Sequence, residues 1–230
     1  MTGDSLGFWE LVRHLDDLHE TDRVAGRLIA EGRRAVPALV EFLLDGPRLH
    51  PQPRMAAAEA LGAIGGDEAR DGLIAALGLL DRPIESPALQ LSEEAVSNTA
   101  AACLVPFPAA EVVPALRTAF RKHRLVGAAE ALARFGDSDC VSDLVQALED
   151  DFKRARLLDV LESYGDVGSE AVAAVLSEPY PPPDAKLLVK KRAACLQFPF
   201  GAEGSALTSA PPAAENPRRA MEFAPTVHPG

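Results

Sequence analysis

Five times along this chain a short line of residues returns in the same order. Ala-Val-Pro-Ala-Leu-Val-Glu starts at 35, Ala-Arg-Asp-Gly-Leu-Ile-Ala at 69, and Val-Val-Pro-Ala-Leu-Arg-Thr at 112. Cys-Val-Ser-Asp-Leu-Val-Gln follows at 140 and Ala-Val-Ala-Ala-Val-Leu-Ser at 171, giving spacings of 34, 43, 28 and 31 residues. Self-similarity at such a period marks a repeat array, in which each unit buries its apolar face only against its neighbours. That constraint precedes all others, because a stack of units offers surface for binding rather than a single pocket for chemistry.

Within each line the apolar positions recur in four rows. Val36, Val113, Val141 and Val172 form the first; Leu39, Leu73, Leu116, Leu144 and Val175 the second. Val40, Ile74, Val145 and Leu176 form the third, and Leu43, Leu77, Phe120 and Leu148 the fourth. These spacings place all four rows on one face of a helix. Burying one such side chain contributes roughly 1.5–3 kcal/mol, so several repeats are needed to offset the ordering of the chain. Arg70 and Arg117 interrupt the first and third rows.

Each line is preceded by a second helical stretch, often ending in glycine: Val24 to Glu31 before Gly32, Arg54 to Ile64 before Gly65, Leu125 to Phe135 before Gly136, Ala155 to Tyr164 before Gly165. Glycine just past a helix supplies the left-handed backbone of a tight turn. Asp67, Asp137 and Asp166 follow in positions expected of turns and N-caps. The unit is helix, tight turn, helix. The pattern Arg-x-Ala-Ala-Ala-x-Ala-Leu-x-x-Ile-Gly followed by Ala-x-x-x-Leu-Ile-x-x-Leu resembles HEAT-like repeats of the short bacterial, phycobilisome-lyase type, over roughly residues 21–178.

The expected fold is therefore all-α: a right-handed α-solenoid of five to six HEAT-like helix pairs over 21–200. Residues 1–20 form an N-terminal cap, with an amphipathic helix at 8–19 carrying Phe8, Leu11, Val12, Leu15 and Leu18 and placing Trp9 on the first repeat. A degraded sixth unit is suggested by Ala193-Ala-Cys-Leu, which echoes Ala101-Ala-Cys-Leu. Residues 201–230 are rich in Ala, Pro, Ser and Gly and read as a disordered tail. Two proline-bearing insertions, Asp45 to Pro53 and Leu80 to Ser92, read as loops; each is either a tolerated surface insertion or a carrier of function.

Composition narrows the function. The formal charge is −11, which points away from nucleic acid and acidic membranes, whose partners carry a basic footprint. No run reaches the about 18 apolar residues of a membrane span. Three cysteines, at 103, 140 and 195, are too few for a disulfide framework; each reads as a small buried hydrophobe. A cytoplasmic, monomeric protein is expected.

Chemistry has little to stand on. His14, His19, His50, His123 and His228 lack metal-ligand spacing. No His-Glu-x-x-His, paired Cys-x-x-Cys or phosphate-binding glycine loop occurs. Among HEAT-like enzymes, the di-iron hydroxylases use several His-Glu dipeptides, whereas this chain has one, His19-Glu20. The alkylated-DNA glycosylases need a basic, aromatic concave face, which an acidic chain with one Trp does not supply. No cofactor or metal is implied, and the chain is not expected to be an enzyme.

What remains is binding. Second helices usually line the inner curve of such stacks, and Glu41, Asp71, Thr118, Arg121, Ser142 and Gln146 point away from the core rows. They vary from repeat to repeat, as a surface matched to one protein partner would, although an ordinary solvated face looks the same. Arg117 and Arg121 belong to the densest basic cluster, 117–124, and could meet an acidic strip of that partner. The expected function is a non-catalytic protein-binding scaffold or adaptor. The resemblance alone implies an alternative, a lyase or chaperone-like subunit acting on a tetrapyrrole-bearing protein.

Overall fold

The computed structural model describes residues 3–17, 20–150 and 152–176. Among them are eleven α-helices and no strand: α1 (Gly3–Arg13), α2 (Thr21–Glu31), α3 (Val36–Asp45), α4 (Pro51–Ile64), α5 (Asp67–Ala76), α6 (Pro87–Cys103), α7 (Ala109–His123), α8 (Val126–Arg134), α9 (Val141–Ala147), α10 (Arg154–Ser163) and α11 (Asp166–Leu176). They form five sequential pairs, α2/α3 to α10/α11, preceded by α1. The first helices α2, α4, α6, α8 and α10 pack on one another in order; among the second helices α3 meets α5, α5 meets α7, and α9 meets α11. This is the all-α pairing that the recurring line predicts. The sixth unit expected before residue 200 and the tail expected at 201–230 lie outside the described residues, as do His19, Cys195 and His228.

The rows are where their spacing puts them. Leu39, Leu73, Leu116 and Leu144 are fully buried, and so are Leu43 and Phe120, with Leu77 and Leu148 nearly so. The third row is different: Val40, Ile74 and Val145 are only half-buried, so it marks the margin of the core. Two further buried rows escaped the sequence reading because most of their members are alanine or cysteine. Ala35, Ala69, Val112 and Cys140 form one; Phe42, Ala76, Ala119 and Ala147 form the other. Alanine occurs so widely here that its burial leaves no pattern, yet it lets the helices approach closely.

All four predicted helix-ending glycines adopt positive φ: 62° at Gly32, 70° at Gly65, 67° at Gly136 and 63° at Gly165. Side chains rarely tolerate that region. At the end of α7 the same position is filled by Arg124, whose φ is 52°. Its guanidinium donates to the Asp143 carbonyl at 3.2 Å and lies 5.8 Å from the centre of the Phe120 ring. These contacts hold a residue whose backbone costs of order 1–3 kcal/mol.

Several expected boundaries move. The cap helix runs over Gly3–Arg13 rather than 8–19 and then tightens into a 3₁₀ turn, His14–Asp16, that buries Leu15 completely. Trp9 packs on the core as expected, and the Arg34 guanidinium lies 5.7 Å from the Phe8 ring centre. The first insertion is shorter than 45–53, because Pro51 and Pro53 begin α4, where a missing N–H costs nothing. The second contracts similarly: Leu79–Asp81 is a 3₁₀ turn and α6 begins at Pro87, capped by Ser86 Oγ accepting from the Leu89 N–H at 3.2 Å. Asp67 and Asp137 make no N-cap bond; Asp137 is held instead by an arginine of the preceding repeat.

Candidate functional site

The outward face of the second helices is built by the rows behind it. With the rows of Leu39, Leu73, Leu116 and Leu144 pinned inward, residues two before and two after each of these leucines must point out. Glu41, Asp71, Thr118, Arg121, Ser142 and Gln146 are all exposed. Arg117 is the exception, half-buried at the third-row margin.

The basic cluster is answered within the chain. Arg117 grips Asp137 with two nitrogens, Nε at 2.6 Å from Oδ2 and Nη2 on Oδ1, and reaches Asp139 at 2.8 Å. These bonds hold the Arg117 guanidinium above its ordinary pKa, with Asp137 the main cause. Arg121 donates to Asp143 on α9 at 2.7 Å. Lys122 and His123 both reach Asp81, at 2.6 and 2.8 Å. Each contact ties α7 to another repeat or to the insertion before α6. Arg70, the other interruption, likewise bonds Asp71, Asp67 and, across to α7, Glu111. Both departures from the apolar rows are thus inter-repeat clasps.

A trough of about 410 Å³ lies between α5 and α7. Ile74, Leu77, Gly78, Pro114, Ala115, Thr118 and Ala119 line it, and Asp81, Lys122 and His123 close one end. It persists because its facing residues Gly78, Ala115 and Ala119 are too small to fill it. Of the six outward residues and Arg117, Thr118 lines this trough and Asp71 stands one turn before it on α5. Arg117 and Arg121 stand along α7 facing the α8–α9 turn and α9, near Ser142 and Gln146 on α9, where Gln146 accepts from Arg124 at 3.3 Å. Glu41 stands alone on α3.

The insertions meet each other, which sequence reasoning missed. Arg54, fully buried on α4, donates to Glu93 at 2.9 Å and to the Leu43 carbonyl at 2.8 Å. Glu93, also fully buried, accepts from Arg48 at 2.5 Å, and Ser92 donates to the Arg48 carbonyl. Arg82 of the second insertion reaches the Leu44 carbonyl at 2.6 Å and Asp45 at 3.2 Å. Burial pulls the Arg54 guanidinium below its ordinary pKa, and Glu93 opposes that pull. Arg54 also reveals a habit of the fold: carbonyls at the ends of second helices are capped from later units. Ser97 does so for Ala76 at 2.8 Å, Lys153 for Arg124 at 3.1 Å and Arg154 for Leu148 at 2.7 Å.

The thiols are held protonated. Burial pushes Cys103 up to about 11; it is half-buried against Gly62, not fully buried as expected. Burial also raises Cys140, which lies 2.9 Å from the Tyr164 hydroxyl. The nucleophilic form of cysteine is the thiolate, so neither is armed. Among the described residues no three His, Cys, Asp or Glu side chains gather as metal ligands, and no helix is long and apolar enough to cross a membrane.

Helix pairs closed by tight glycine turns and stacked in sequence define a HEAT-like repeat protein. The PBS lyase HEAT-like repeat matches residues 53–78 and 125–150, which are the pairs α4/α5 and α8/α9. The chain carries PBS lyase HEAT-like repeats in an all-helical protein. Compared with curated proteins, it matches none.

Proposed function

We propose that the chain is a non-catalytic scaffold that takes one protein partner along the outward face of its second helices. The observation that carries this reading is a contrast within single helices. Positions facing the core repeat almost unchanged, whereas Glu41, Asp71, Thr118, Ser142 and Gln146 are exposed and differ in charge and size between units. Protonated thiols and internally paired arginines favour binding over catalysis. The formal charge and the absence of secretory cysteine patterning favour a cytoplasmic monomer that does not bind nucleic acid.

Affinity capture with the full chain tests this. One protein should be recovered by the wild type, lost by Glu41→Lys with Gln146→Lys, and retained by Glu59→Lys on the first-helix side. Retention by the second-helix variant and loss by Glu59→Lys would reverse the assignment.

The matched repeat favours one further reading, a subunit acting on a tetrapyrrole-bearing protein. It requires that the purified chain perturb bilin absorbance or change chromophore attachment. With neither effect that reading is abandoned.

A further inference from the structure

We propose that the trough between α5 and α7 seats an apolar peptide segment that carries a lysine or arginine at one end. The proposal rests on the scaffold reading and supplies the partner's chemistry. The floor is apolar: Ile74, Leu77, Ala115 and Ala119. Helix register then runs the lining into acidic ground. Asp71 lies one turn before Ile74 and two before Gly78, and Glu111 lies one turn before Pro114 and Ala115 and two before Thr118.

Among the described residues Asp67, Asp71 and Glu111 pair with one cation, Arg70, while Arg33 and Glu68 beside Asp67 carry opposite charges that offset each other. Three carboxylates against one guanidinium leave two negative charges in excess. The helix N-termini carry about half a positive charge each, which offsets part of that excess and does not cancel it. The three carboxylates remain accessible, at 90%, 66% and 45% exposure, whereas Arg70 is only 18% exposed. Pro114 adds to this: it has no N–H, so the Ala110 carbonyl loses its helical donor. The acceptors at this end are the three carboxylates and the Ala110 carbonyl, beside the uncapped first-turn N–H groups of α5 and α7. At the other end Asp81 is already engaged by Lys122 and His123. The two ends differ, and the difference orients the segment with its cation toward Asp71 and Glu111.

Fluorescence anisotropy with the full chain tests this, using three labelled synthetic peptides: two leucines flanked by lysines, the same flanked by glutamates, and the lysine peptide with serine for leucine. The lysine–leucine peptide should bind at least about tenfold tighter than either other, with the margin over the glutamate peptide shrinking in salt. Thr118→Trp, which fills the trough, should weaken it about tenfold or more, and Asp71→Lys should weaken it and favour the glutamate peptide. Thermal melting confirms that both variants fold. Equal binding of lysine and glutamate peptides, no binding of any peptide, or indifference to Thr118→Trp overturns the proposal. The outcomes separate the two readings. A captured protein that survives Thr118→Trp and Asp71→Lys but is lost with Glu41→Lys and Gln146→Lys sinks the trough and keeps the scaffold. Normal peptide binding by a chain that captures no protein keeps the trough and sinks the scaffold.

Discussion

Two junctions in this protein use arginine against carboxylate to hold neighbouring repeats, and they use it differently. Where the two insertions meet, Arg54 and Glu93 are fully buried and their bonds reach into the ends of helices. Between α7 and α9, Arg121 is 57% exposed and Asp143 half-buried at 22%. A buried pair has already lost its water, so removing one partner strands the other; an exposed pair hands its charges back to solvent. The first junction fixes the register of the early repeats. The second can change without unfolding the array, which leaves the outward face open to variation.

The largest effect should come from Arg54→Met. Urea denaturation should show a loss of about 3–5 kcal/mol, because Glu93 remains buried with only Arg48. Adding Glu93→Leu should restore much of that loss; if it does not, the helix-end carbonyl bonds matter more than the ion pair. Gly127→Ala ranks next. A Cβ there would stand 2.5 Å from the Asn98 carbonyl oxygen, and the Gly127 N–H that Asn98 accepts at 2.7 Å would be displaced. Forcing α6 and α8 apart should cost about 1–3 kcal/mol, measurable as a lower Tm.

Arg121→Gln should lower Tm less than either, and less still in high salt, where exposed pairs are screened. A change as large as that of Arg54→Met would erase the distinction between the junctions. Acid should act on a different contact of α7, the one to Asp81 before α6, whose carboxyl is held below its ordinary 3.8 chiefly by Lys122 and then by the His123 charge. A depressed carboxyl stabilises the fold above its unfolded value and loses that contribution as pH falls through the folded one. Asp81→Asn should therefore flatten the acid limb of stability against pH. The smallest readout concerns Cys103. With its thiol raised from 9.0 to about 11, its stabilising contribution is present below pH 9 and is lost as pH rises through 11. Iodoacetamide labelling at pH 8, read at this residue by mass spectrometry, should be about 100-fold slower than for a free thiol.

Much of this was legible in the residues. The recurring line set helix phase, and the glycines at 32, 65, 136 and 165 marked the turns because few other residues accept that backbone. The outward set from Glu41 to Gln146 followed from the same phase. What could not be read were pairings between units. Arg54 and Glu93 are far apart in sequence, and their meeting depends on how two insertions fold together. Arg117 stood out as a departure from a row, but Asp137 resembled a helix cap until the structure placed it beside that arginine. The trough between α5 and α7 depends on three small side chains, and small residues are too common here to announce a gap.

The first helices pack on one another through the whole array, and the second helices carry the face proposed for the partner. Hydrogen–deuterium exchange of the full chain, with and without the protein it captures, tests this division of roles most directly. New protection should appear in α5 and α7, around 71–78 and 111–122, with α4, α6 and α8 unchanged. Protection confined to the first helices, with α5 and α7 exchanging as before, would contradict it.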